Sequence, residues 1–331
     1  MNEKSINLIR GKALYSTNGA AREYAPVGCN FFVGCSNGCN YCYLRKGVLK
    51  SAMGMNKPQL KKFFKNEKHA FEIFQQEATQ NLSQLRQTGI FFSFSTDPLL
   101  PECQKLTWYA SEIATLSDIP VMILTKSTEF FKEMKAYLEY LPDKQKSLVH
   151  FGFTLTGHDD WEPNAPSNEE RIVMLKRLHD WGYHTFVSIE PIIDFKSSLE
   201  MIRRTKDFCE WYGIGLMTKN GHTYDLKEAE QFHKAVTSLL PQEDDMPVIY
   251  WKESFKRLCS SLFKDQENRP MPIVNTTSKA AVNKQFCQQT VNQDRVGNAA
   301  TDQNAVGHSD VAPCRNNVML PSKANRNHTA E

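Results

Sequence analysis

A chain of 331 residues, 40% hydrophobic and 23% charged, is long enough for one large α/β domain or two ordinary ones around a folded core. Its 40 Lys and Arg against 37 Asp and Glu leave a formal charge of +3, which neither requires nor excludes a polyanionic partner. No apolar run approaches the roughly 20 residues that span a bilayer, and MNEKSINLIRGK lacks the apolar stretch of a secretory signal, so the chain is expected in the cytoplasm without a membrane partner.

From about residue 28 to residue 250, short apolar runs alternate with longer amphipathic ones. Cys29–Val33, Ile90–Ser95, Val121–Thr125, Val149–Leu155, Thr185–Ile189 and Ile214–Met217 are rich in Val, Ile, Phe or Thr and too short for helices, so they are predicted as strands. Between them lies helical spacing: Phe71, Phe74, Ala78, Leu82 and Leu85 share one face. Ser167 and Glu170 make a capping box for a helix over Glu169–Trp181, and Pro142 and Pro241 act as stops. Six strands separated by helices predict a parallel sheet with right-handed crossovers. Too little sequence remains for the two further units of a closed eight-stranded barrel. The fold class is therefore α/β, a partial, open (β/α)6 TIM-type barrel with its ligands at the C-terminal ends of the strands. Residues 1–27 are expected as an N-terminal extension and residues 28–268 as the barrel with a C-terminal helical cap. From Met271 to Glu331 there is no Trp or Tyr, one Phe, and fourteen Asn or Gln. Such a segment cannot bury enough apolar area to offset its ordering entropy, so residues 269–331 are expected to be a disordered polar tail and Cys287 and Cys314 not to be ligands.

Nine cysteines in such a chain point to ligands or buried thiols rather than disulfides. Three of them crowd into Gly34-Cys35-Ser36-Asn37-Gly38-Cys39-Asn40-Tyr41-Cys42-Tyr43, directly after the first predicted strand. Thiolates suit iron–sulfur clusters and zinc. The C-x3-C-x2-C spacing lets one loop wrap three corners of a cube, with Gly34 and Gly38 easing its turns. Ordinary [4Fe–4S] proteins use four cysteines, so three leave one iron open to another ligand. A structural zinc site is the alternative, with Cys29 or a nearby His as fourth ligand, although such sites usually pair two short ligand knuckles.

Further candidates sit at the other strand ends. Ser95, Thr96 and Asp97 follow the second strand and offer acceptor oxygens; alternatively Asp97 and Pro98 only cap the strand. Lys126, just past the third strand, is placed to reach into the crevice and pair with a carboxylate; alternatively it is a solvated surface lysine. Thr154 ends the fourth, and Glu190 ends the fifth as either a pocket acid or a salt-bridged strand cap.

The spacing Cys35-x3-Cys39-x2-Cys42 after a strand resembles the signature of the radical S-adenosylmethionine (SAM) superfamily, and the alternation over residues 28–250 resembles its partial barrel. The resemblance implies a [4Fe–4S] cluster on these cysteines whose open iron chelates SAM, with reductive cleavage to a 5′-deoxyadenosyl radical. It implies an adenine near Tyr41, a SAM amino group at Ser95, Thr96 and Asp97, a SAM carboxylate at Lys126 and a ribose at Thr154. It also implies a flavodoxin- or ferredoxin-type electron donor, and in this chain Tyr41 or Tyr43 is the candidate to relay hydrogen. Together GCSNGCNYCY, STDPLLPE, LTKS, EPNAPSNEERIVMLKRLHDWGY and SIEPIID resemble the branch that contains spore photoproduct lyase and relatives, some carried by phages and mobile elements. The chain departs from the lyase itself: Ser93 and Phe94 stand where the lyase has its hydrogen-donor cysteine, and Cys103 lies past the turn.

The substrate is less constrained. Arg45, Lys46, Lys50, Lys57, Lys61, Lys62, Lys65 and Lys68 face a single acid, Glu67, with Tyr41, Tyr43, Phe63 and Phe64 interleaved. This pattern suits a nucleic acid, through charge and base stacking, or a solvated helix face whose phenylalanines belong to the core. Radical chemistry on a peptide or small molecule is the second reading, and a zinc-stabilised nucleic-acid binding module the third.

Overall fold

The structure is a computed structural model that describes residues 7–218, 222–241 and 246–263; the expected polar tail, with Cys287 and Cys314, lies outside the described residues. Ten strands are present among the described residues: β1 Leu14–Ser16, β2 Val27–Cys29, β3 Phe32–Val33, β4 Gln59–Leu60, β5 Ile90–Phe92, β6 Val121–Thr125, β7 Val149–Thr154, β8 His184–Ile192, β9 Trp211–Leu216 and β10 Val248–Trp251. Eight form one sheet in the order β1-β2-β5-β6-β7-β8-β9-β10, parallel throughout except for β1. Helices connect the parallel strands, so the chain is an α/β protein with the partial-barrel architecture read from its periodicity. Among the described residues no helix is long and apolar enough to cross a membrane.

Strand alternation sets two faces. Ile90, Phe92, Val121, Ile123, Phe151, Phe153, Val187, Ile189, Tyr212 and Ile214 join helix residues such as Phe74, Leu106, Leu175 and Ile202 in the outer core. The other parity points inward, where Phe91, Met122, Phe186 and Trp211 pack with Tyr24 and Ala25. Phe186 and Trp211 stack there with centroids 4.2 Å apart. The same parity carries Lys126, Thr154 and Glu190 to the inner side at the C-terminal ends of β6, β7 and β8.

Several boundaries differ from the sequence expectation, each for a local reason. The first strand divides: Val27–Cys29 stays in the main sheet, while Phe32–Val33 pairs antiparallel with Gln59–Leu60. Asn30, at the break, accepts from the Phe94 amide at 2.8 Å and the Ser93 hydroxyl at 2.9 Å and donates to the Tyr15 hydroxyl at 2.7 Å. These side-chain bonds replace the ladder and end the second strand at Phe92 rather than Ser95. The amphipathic run through Leu85 breaks into helices Glu67–Gln80 and Leu82–Thr88 because the Asn81 amide donates to the Glu77 carbonyl at 2.8 Å. Glu77 itself accepts from the Ala13 and Leu14 amides, at 3.1 and 2.8 Å, fastening β1. Three strands went unforeseen: Leu14–Ser16 adds an antiparallel edge from within the expected N-terminal extension, Gln59–Leu60 pairs with β3, and Val248–Trp251 adds a seventh parallel strand.

Candidate functional site

The cysteine loop leaves β3 and returns through β4. Its two glycines stand at φ +88° (Gly34) and +73° (Gly38), a region that L side chains rarely adopt. A Cβ on Gly34 would lie 2.6 Å from the Lys57 carbonyl oxygen, and one on Gly38 2.8 Å from Asn164 Nδ2. The loop is braced from both sides: the Cys35 amide donates to the Met55 carbonyl at 3.0 Å, and the Asn40 amide to the Trp161 carbonyl at 2.9 Å. The Arg45 guanidinium donates to the Cys35 carbonyl at 3.1 Å. Cys35, Cys39 and Cys42 are all free thiols; Cys39 is buried and the other two partly so.

Chemistry decides which ion such a loop fits. Among the described residues, the three sulfurs do not form a set lying within 4.8 Å of one another, as ligands converging on one zinc would. Three thiols spread over a loop fit the corners of a larger cluster instead. Burial pushes the Cys35 thiol up to about 12, with Asp97 adding to the rise. Burial also raises Cys39, against the pull of Lys126. A multivalent cation inverts that balance and holds the sulfurs as thiolates.

The other sequence candidates gather beside the loop. Asp97 is nearly buried, and both its oxygens are engaged: it accepts from Asn37 Nδ2 (2.9 Å), Thr125 Oγ1 (2.6 Å), the Lys126 amide (2.8 Å) and the Leu99 amide (3.1 Å). The Ser95 hydroxyl donates to the Phe32 carbonyl at 2.6 Å, while its own carbonyl accepts from the Gly34 amide at 3.0 Å. Thr96 Oγ1 lies 3.8 Å from the buried Cys103 sulfur, which belongs to the outer core. The Tyr43 hydroxyl donates to the Phe94 carbonyl, so the last tyrosine of the motif closes over the same turn.

Lys126 stands where sequence reasoning placed it, with its ammonium 5.5 Å from the Tyr41 ring centroid and 3.8 Å from Glu162 Oε1. Burial opposes its charge, but Cys39 and Glu162 outweigh that and raise its pKa above the ordinary lysine range. Glu162 was not foreseen. Its side chain is fully buried, accepts from the Tyr41 hydroxyl and pairs at 2.6 Å with the equally buried Arg171. Arg171 in turn donates to the Thr154 carbonyl at 2.8 Å, tying the end of β7 to this network. The sequence held a signal: Arg171 shares the core stripe of its helix with Leu175 and Leu178, and a charge there demands a buried partner. Glu190 belongs to a separate cluster, accepting from the Tyr24 hydroxyl at 2.8 Å and pairing at 2.5 Å with buried Lys252. Lys252 also sits 3.5 Å from the Tyr24 ring centroid, and neither it nor Tyr24 was singled out in the sequence.

Comparison with known proteins settles the family. The sequence profile of the radical SAM superfamily matches residues 29–209, from the end of β2 to the approach to β9. This chain belongs to the radical SAM superfamily. Its radical SAM domain has relatives at the level of sequence and of fold. An uncharacterized protein of Methanocaldococcus jannaschii is 24% identical over 282 residues, covering 82% of this chain and 98% of the relative. A mutant of spore photoproduct lyase superposes with a TM-score of 0.53 at 14% identity, covering 74% of this chain and 81% of that one. A second lyase mutant, with bound S-adenosylmethionine and dinucleoside spore photoproduct, gives 0.52 at 13% identity over 76% and 81%. Likeness at this level is a likeness of fold.

Proposed function

We propose that this radical SAM protein holds a [4Fe–4S] cluster on Cys35, Cys39 and Cys42 and modifies or repairs a nucleic acid, fed by a flavodoxin- or ferredoxin-type donor. The observation that carries the reading is the set of three free thiols on one braced loop, beside Lys126 and Tyr41 at the C-terminal rim of the sheet. When bound, the cluster with SAM supplies a 5′-deoxyadenosyl radical able to take hydrogen from a C–H bond.

The chain's own residues bind and orient. Lys126 offers a charge to the SAM carboxylate, and Glu162 and Tyr41 hold that ammonium in place. In the turn after β5, Asp97 acts by positioning, because its oxygens already serve four donors within the chain. Thr96, whose hydroxyl has a long contact to a sulfur, is the better acceptor for the SAM amino group. Thr154 contributes to the rim through a carbonyl that Arg171 fixes. Glu190 is drawn to Lys252 and Tyr24, and therefore shapes the inner wall.

A nucleic-acid substrate is supported by the surface of the loop. Between Gly34 and helix Glu67–Gln80 the chain is not one helix; it runs through a 3-10 turn, the short helix Leu49–Met53 and β4. Lys50, Lys57, Lys62 and Lys65 are exposed along it, together with Tyr43 and Phe63, while Phe64 is buried. Cations interleaved with exposed aromatic rings beside the radical site suit a phosphate backbone with stackable bases.

The test is anaerobic reconstitution with iron and sulfide, then dithionite and SAM, assaying 5′-deoxyadenosine in wild type and Cys39→Ala. Cluster-dependent product in the wild type alone is expected; a colourless, zinc-loaded protein that forms none would overturn the reading.

A further inference from the structure

At the N-terminal end of the sheet, away from the cysteine loop, lies a second group of ligand-type side chains that the radical chemistry does not use. His150 in β7 and His184 in β8 are register partners, so their side chains leave the sheet side by side. Their rings stack with centroids 4.6 Å apart and 16° between planes. Glu210, in the turn before β9, is tied to β8 by its amide, which donates to the Thr185 carbonyl at 2.9 Å. Its carboxylate oxygens lie 2.7 and 2.8 Å from His184 Nδ1. One ligand atom from each of His150, His184 and Glu210 falls within 4.8 Å of the other two, and no other such group of three occurs among the described residues.

His150 is the member that asks for an explanation. It is only 2% exposed, and neither ring nitrogen has a hydrogen-bond partner. Burying an imidazole with both nitrogens unpaired is costly, and native structures rarely leave such a group unsatisfied. Stacking on His184 supplies no partner for either nitrogen. An electrophile supplies one for the nitrogen that carries the lone pair: a divalent cation at the centre of the group takes a lone pair from each imidazole and an oxygen from Glu210. Two imidazoles and a carboxylate, with water completing the shell, are a donor set suited to zinc. The side chains of His184 and Glu210 are 30% and 43% exposed, which leaves an ion a path from solvent.

We propose that His150, His184 and Glu210 form a zinc-type cation site that clasps the starts of β7, β8 and β9, independent of the cysteine cluster. The test uses full-length protein with Cys35, Cys39 and Cys42 loaded by reconstitution, so that zinc cannot take the cluster thiolates, and zinc held by any other cysteine is common to all the variants compared. Equilibrium dialysis against zinc, with iron and zinc counted separately, compares wild type, Glu210→Gln and His184→Gln. Expected is one zinc per chain in the wild type, retained alongside full iron and lost in both variants. At zinc about a hundredfold above its dissociation constant, the wild-type unfolding midpoint should rise by roughly 5 °C. The variants should share the zinc-free midpoint and show no rise. Equal zinc content in all three proteins, or none in the wild type, would overturn the proposal. If His184→Gln does not fold, the half-exposed Glu210→Gln decides alone.

Discussion

Glu162 and Arg171 show how much one buried pair can carry. Both side chains are fully buried and 2.6 Å apart, with Tyr41 and Lys126 on the same carboxylate. Removing one partner leaves a charge in low dielectric, so Glu162→Gln is expected to lose about 3–5 kcal/mol, read by denaturant unfolding. Arg171→Met combined with Glu162→Gln should recover part of that loss, because the fully buried guanidinium is then no longer left without its carboxylate, although Lys126 still is; a double variant no better than the single one would contradict the pairing. A second residue-scale effect concerns acid. Asp194 caps helix Phe195–Thr205, accepting from the Ser197 amide at 2.8 Å. Partial burial alone would raise its carboxyl, but the Ser197 hydroxyl and amide and the His158 imidazole outweigh that and hold it at about 2. A depressed carboxylate contributes stability that is complete above its unfolded pKa of about 4. That contribution is lost as the pH falls toward about 2. Asp194→Asn should therefore flatten the acid limb of a stability–pH curve in this window and leave its neutral slope unchanged.

At the scale of elements, the cysteine loop depends on its backbone as much as on its thiols. Gly34→Ala puts a Cβ 2.6 Å from a carbonyl oxygen at φ +88°. The left-handed conformation alone costs a non-glycine residue about 1–2 kcal/mol, and here the neighbouring backbone must move as well. Reconstituted Gly34→Ala is expected to hold less iron than wild type while its secondary structure, by circular dichroism, is unchanged; full iron content would show that the loop tolerates the shift. Helix Asn168–Asp180 offers a contrast, since its capping box is local and joins Ser167 to Glu170 in both directions. Ser167→Ala should cost about 1 kcal/mol and leave iron binding intact.

For the whole molecule, a formal charge of +3 is too small to attract polyanions by itself, so the proposed nucleic-acid binding would have to come from where the charge is concentrated. The exposed lysines of the cysteine excursion are that concentration. A Lys57→Ala, Lys62→Ala, Lys65→Ala variant should bind single-stranded oligonucleotides more weakly, with the slope of log affinity against log salt reduced by about 0.7 for each phosphate that is no longer neutralised. An unchanged slope would place the substrate elsewhere, or make it something other than a nucleic acid.

Short-range pattern was enough to read the thiol spacing, the capping box, and the alternation of strands and helices that names the sheet. The placement of Lys126, Thr154 and Glu190 near the C-terminal ends of β6, β7 and β8 was also legible, because the residues that face the crevice of a parallel sheet gather at those ends. Residues 14–16 and 248–251 escaped notice because an edge strand this short has little periodicity of its own; its partner decides it. The polar pairings emerge only in three dimensions. Asn37 reaches Asp97 across 60 positions, Lys252 reaches Glu190 across 62, and Tyr41 reaches Glu162 across 121. Periodicity says that a charge faces inward, but which opposite group meets it depends on the crossovers that bring distant strand ends to one rim. Burial then makes that meeting obligatory, since a charged group there has no water to turn to.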